Sequence, residues 1–140
     1  MFITIFSVIF YLSITILGVH SLTQMSALSY IVLIYLVPPI YNFLVLKCQK
    51  RKRMFLSLVL PSLASIFYGF LSWVTEVNGT WMTFVERNTI SSPNFSLEIE
   101  PNGFDMTQII FITIVYFGLA FGQYYFINRK NKEVKGEMYA

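Results

Sequence analysis

The chain has 140 residues, 56% hydrophobic and only 12% charged, with mean hydropathy +0.63 and a formal net charge of +3. A soluble globular domain carries about 25% charged residues, so a water-covered enzyme domain is excluded, and the wealth of Leu, Ile, Val and Phe excludes a disordered chain. The single cysteine, Cys48, rules out an intrachain disulfide, and with the single histidine, His20, it is too little for a zinc site.

Four apolar stretches, residues 2–19, 28–46, 54–74 and 109–127, contain no Asp, Glu, Lys or Arg. A bilayer core of about 30 Å takes roughly 20 helical residues, and backbone groups in hydrocarbon must pair within their own segment. The alternation of barrel strands is absent. The sequence therefore predicts an all-α integral membrane protein, a single domain over residues 1–140 with four transmembrane helices. Frequent Ile, Phe, Asn and Lys fit a low-GC bacterial coding sequence.

The first stretch lacks a basic flank and a small-x-small cleavage site after Val19, and so reads as a retained helix and not a signal peptide. A short link, His20–Ala27, turns the chain back. The second stretch holds Pro38 and Pro39 and the third holds Pro61, and a kink is expected at each place. Between these two stretches runs a basic turn with Lys47, Lys50, Arg51, Lys52 and Arg53. Trp73, Tyr124 and Tyr125 stand near span ends, where interfacial anchors belong.

The segment 76–107 carries five acidic residues and one basic residue, Arg87. Trp81, Thr83 and Val85 alternate with their neighbours, as do Phe95, Leu97 and Ile99, and Pro101-Asn102-Gly103 follows. This pattern suggests a small β-hairpin, with a loop lacking regular structure as the alternative. The tail 128–140 is basic, with Arg129, Lys130, Lys132 and Lys135 against Glu133 and Glu137. Nine of the ten Lys and Arg residues thus lie in the basic turn and the tail. Short segments rich in Lys and Arg stay cytoplasmic. The expectation is a multi-pass protein of the cell membrane with both termini cytoplasmic and an extracytoplasmic loop over 76–107.

Candidate sites are few. The spans lack the membrane-embedded carboxylates that proton-coupled exporters and intramembrane aspartic peptidases need, and Cys48 has no Cys-x-x-Cys partner. His20 reads as an interfacial polar residue. Glu98, Glu100 and Asp105 are the only acidic grouping with a claim on a divalent cation, and a solubilising role is the simpler reading. No cofactor or catalytic residue is expected. Gly118 and Gly122 form a GxxxG pair, and Ser62, Ser65, Gly69 and Ser72 form a matching stripe in the third span. These are expected to pack inside the four-helix unit, with a homodimer seam as the alternative. The basic turn is expected to lie against anionic headgroups or to dock a cytoplasmic protein; it is too small to read nucleic acid. Cys48 sits where S-acylation occurs in eukaryotes, and Asn78 and Asn94 begin sequons in the loop.

The order of features resembles one family. The run IVLIYLVPPI around Val37-Pro38, the acidic loop, and Gly103-Phe104-Asp105 leading into a last span with a basic tail are similar to the Msa family, staphylococcal membrane proteins named as modulators of SarA. The resemblance implies a regulatory role exerted from the membrane, with no active site carried over. Together these readings point to a non-enzymatic regulatory or signalling accessory acting through protein contacts. The alternative is an immunity or protective protein, or an accessory subunit of a membrane transporter complex. A lipid-modifying enzyme ranks last, for want of polar residues in the spans.

Overall fold

A computed structural model describes residues 2–49, 51–92 and 95–137; Lys50 and Asn94 lie outside them. Helix α1 spans Phe2–Ser21 and runs into a 3-10 turn, Leu22–Gln24. Ser26 opens the next helix, its hydroxyl accepting from the Ser29 N–H at 3.2 Å. The second apolar stretch is two helices, α2 (Ala27–Tyr35) and α3 (Val37–Cys48), followed by α4 (Arg53–Val77), α5 (Thr80–Asn88) and α6 (Met106–Glu137). Among the described residues four helical segments are long and apolar enough to cross a membrane: Phe2–Gln24, Ala27–Cys48, Arg53–Val77 and Met106–Arg129.

The bundle is apolar on its outside as well as in its core. Helix α1 buries Ser7, Tyr11, Thr15 and Gly18, while Ile5, Phe6, Ile9, Ile16 and Leu17 face outward. Such an apolar exterior is untenable in water and suits lipid. In hydrocarbon, helices gain little by burying Leu or Ile against one another, so close approach and hydrogen bonds hold them instead. Both devices are present. A Cβ on Gly18 would stand 3.2 Å from Leu71 Cδ1 of α4. Tyr11 donates to Asn42 Oδ1 at 2.7 Å, and Ser7 Oγ meets Tyr41 Oη at 2.8 Å. Phe10 stacks on Tyr41 with ring centroids 3.9 Å apart. Several other hydroxyls bond the preceding turn, as Thr113 does to the Ile109 carbonyl at 2.7 Å.

The two proline sites behave differently. Helix α2 ends and α3 begins at Leu36, just before Pro38 and Pro39. Proline at 38 removes the donor that would pair with the Ile34 carbonyl. That carbonyl accepts from the Tyr116 hydroxyl of α6 at 2.8 Å, and Gln123 Nε2 reaches the Pro39 carbonyl at 3.0 Å. The helix break is thus stitched to the last span. Around Pro61, α4 runs on as a single helix from Arg53 to Val77.

Segment 76–107 corrects the sequence reading. Residues 81–85 form no strand but lie in α5, whose Trp81, Phe84 and Val85 are buried against Leu22, Met25 and Tyr30. The separations of three and four residues between these side chains match a helix, which the period-two count overlooked. A three-residue antiparallel ladder follows, Ile90–Ser92 with Phe95–Leu97, with Ile90 opposite Leu97. Asp105 caps α6, its Oδ1 accepting from the Thr107 N–H at 3.1 Å, and α6 continues past the fourth span into the tail as far as Glu137.

Candidate functional site: a capped end and a basic end

At the loop end, α5 folds down as a cap. Gly79, at φ +69°, lets the chain reverse between α4 and α5, a conformation that side chains with a Cβ rarely adopt. Asn88 then clasps the turn between α1 and α2. Its Oδ1 accepts from the Ala27 N–H at 2.8 Å, and its Nδ2 donates to the Met25 carbonyl at 3.1 Å and the Phe84 carbonyl at 2.9 Å. Arg87 donates to the Thr23 carbonyl at 2.8 Å. Trp81 Nε1 donates to the Glu100 carbonyl at 3.1 Å, and Glu76 Oε2 accepts from the Gly103 N–H at 2.8 Å. Gly103 lies against the indole so closely that a Cβ there would fall 2.5 Å from Trp81 Cγ.

The opposite, basic end divides its cations by role. Lys47, Arg51 and Lys52 are exposed. Arg53 is buried, which corrects its expected place among the lipid-facing cations. Its Nε donates to the Leu46 carbonyl at 3.0 Å, Nη2 to the Lys47 carbonyl at 3.4 Å and Nη1 to Asn128 Oδ1 at 3.3 Å. The last carbonyls of α3 have no partner in their own helix, and the guanidinium fork supplies donors and positive charge where the helix dipole is negative. Arg53 therefore fastens α3, α4 and α6 together. Two shallow grooves flank Phe55, one of about 430 Å³ with Arg51, Lys52 and Leu58, the other of about 200 Å³ with Phe2, Gln49 and Lys52. Each sets a cation over apolar walls.

Of the small-residue faces only Ser72 is buried inside the bundle; the three glycines face open space. The packed row of α6 is Ile112, Tyr116, Ala120 and Ile127; Gly118 and Gly122 are exposed, and a Cβ on either would meet nothing within 4 Å. They stand two residues from the packed row, about 200° around the helix. On α4, Ser65 is half-buried and bonds the Pro61 carbonyl at 2.9 Å, and a Cβ on Gly69 would also meet open space. The expected internal seam is corrected at Gly69, Gly118 and Gly122: close approach falls instead on Gly18, and the buried small residues include Ala64 and Ala120.

His20 is exposed at the loop end, Cys48 is exposed at the basic end, and Asn78 is exposed in the turn before α5. Trp73 and Tyr125 face outward near opposite ends. Among the described residues no three His, Cys, Asp or Glu side chains come together in a way that could hold a metal ion, and Asp105 is engaged at the start of α6. Sequence reasoning missed the clasps made by Asn88, Arg53 and Tyr116. A polar residue beside an apolar run was the available signal for Asn42, Asn88 and Gln123. Scanned against protein-family models, curated proteins and solved structures, the chain finds no match.

Proposed function

We propose that the chain is a multi-pass protein of the cell membrane that acts, without catalysis, as a regulatory or signalling accessory through contacts with other proteins. One observation carries this reading: a folded acidic cap and an exposed basic turn stand at opposite ends of the same helices, with hydroxyl and amide hydrogen bonds between them. In the proposed orientation Lys47, Arg51, Lys52 and the tail are cytoplasmic, both termini lie on that side, and the cap over 76–107 faces out, following the distribution of Lys and Arg. The grooves beside Phe55 suit anionic headgroups, at about 1 kcal/mol per cation near the surface. The similarity to the Msa family in Val37-Pro38 and Gly103-Phe104-Asp105 agrees with a role in modulating regulators.

The test pairs a deletion strain with affinity purification of the intact protein in mild detergent. The expected result is altered transcription of regulators with unchanged toxin sensitivity, and a co-purifying protein that is lost when Lys47, Arg51 and Lys52 are all replaced by Glu. Unaltered transcription together with new sensitivity to a bacteriocin would overturn it. That outcome supports a second reading, an immunity protein or an accessory subunit of a transporter complex. The open face at Gly118 and Gly122 favours this alternative, since another membrane helix can approach closely there.

A further inference from the structure

Between α2, the cap helix α5 and the start of α6 lies a cleft of about 340 Å³. It runs beside α2 from Ala27 to Tyr35, about 12 Å along the helix. Tyr30 and Tyr35 of α2 and Trp81 and Phe84 of α5 line it, together with the polar residues Glu100 and Gln108. The volume falls in the range that holds a small organic molecule, and an apolar pocket with a few convergent polar groups is the usual form of such a site.

Charge decides what kind of molecule. Among the described residues Glu100 is the only ionisable acid lining the cleft, and no Lys or Arg lines it. The surrounding loop has five acidic residues against one arginine, and that arginine is held on the Thr23 carbonyl. An anionic headgroup would be repelled. A cation gains both from the carboxylate and from aromatic faces, indole best of all. The Trp81 indole is fixed in place by its bond to the Glu100 carbonyl, which also fixes the backbone of the acid beside the ring.

We propose that this cleft binds a free amphipathic organic cation, a quaternary or protonated nitrogen on an aromatic or apolar body, with the charge at Glu100 and the body against Tyr30, Tyr35 and Trp81. The assignment is independent of what the protein regulates.

The test uses the full chain in dodecyl maltoside with Trp73→Phe, which leaves Trp81 as the only indole. The probe is N-benzylpyridinium, whose ring quenches indole emission, and its neutral isostere diphenylmethane serves as competitor. Saturable quenching is expected, with affinity weakened about fivefold or more by Glu100→Gln, strengthened by Gln108→Glu, and little affected by diphenylmethane. Circular dichroism of each variant establishes that the helices are intact. Linear, unsaturable quenching overturns the proposal, as does equal affinity in all three proteins or full competition by the neutral isostere. Displacement by short-chain phosphatidylcholine at concentrations similar to the probe's would make a lipid headgroup the occupant, and would overturn a free ligand.

Discussion

Glycine serves opposite ends at Gly103 and Gly118. At Gly103 the absent Cβ is the space the Trp81 ring occupies, whereas at Gly118 the absent Cβ opens onto the exterior of the bundle. Gly103→Ala should therefore destabilise the cap by about 1–3 kcal/mol, the usual cost of forcing an atom into a packed site. Gly118→Ala should leave stability unchanged or raise it by up to about 1 kcal/mol, because alanine is the better helix former. Thermal unfolding in detergent, followed by near-ultraviolet circular dichroism, separates the two; equal losses at both positions would place Gly118 in a contact. Arg53 makes a similar point about identity and place. In the sequence it is the last of five cations in the basic turn, yet among the four described it is the buried one, because it begins α4 beside the carbonyls at the end of α3. Arg53→Lys keeps the charge but loses the fork that reaches three acceptors. It should lower the unfolding midpoint clearly, while Arg51→Lys should not, and matched melts of the two variants provide the check.

At the scale of elements, the break between α2 and α3 is a trade between proline and tyrosine. Pro38 frees the Ile34 carbonyl and Tyr116 takes it up, so the two residues should be energetically coupled. Tyr116→Phe should cost about 0.6–2 kcal/mol, the span measured for hydrogen bonds between membrane helices. Its cost should shrink when Pro38→Ala restores an N–H for Ile34 within the helix. A double-mutant cycle of unfolding free energies tests this, and strictly additive effects would refute the coupling. The spans themselves were legible in the sequence, because a run free of ionisable residues and long enough to cross hydrocarbon has few other uses. Which side of each span faces inward was not. The search for small residues led to Gly118, Gly122, Ser65 and Gly69, but the packed rows mix Tyr, Ala, Ser and Leu, and only neighbouring helices decide which row is buried. Helix α5 was hidden for a related reason. Trp81, Phe84, Val85 and Asn88 follow a helical spacing, yet within nine residues a period-two pattern competes, and docking on the α1–α2 turn settles the choice. Loss of the Asn88 clasp by Asn88→Ala should speed amide exchange in α5 and at residues 22–27 while leaving α4 and α6 protected.

For the whole molecule, the apolar exterior and the separated charges together constrain orientation. Large apolar side chains such as Phe6, Ile66, Ile114 and Phe126 face outward along the spans, an exterior that suits lipid and leaves the two ends as the polar parts. At those ends the lysines and arginines are not exchangeable with the acids of 76–107, since translocating clustered Lys and Arg is disfavoured. Reporter domains fused after residue 49 and within 89–92 should then report opposite compartments, the first cytoplasmic. The exposed cations Lys47, Arg51 and Lys52 should carry most of this bias, because Arg53 is committed to carbonyls of its own bundle. Replacing Lys47, Arg51 and Lys52 with Gln should yield a mixture of orientations, and replacing Arg53 with Gln should lower the amount of protein without inverting it. Were the reverse found, with Arg53→Gln inverting the chain and the triple variant unaffected, the buried arginine would be the orienting charge and the division of roles at the basic end would fail.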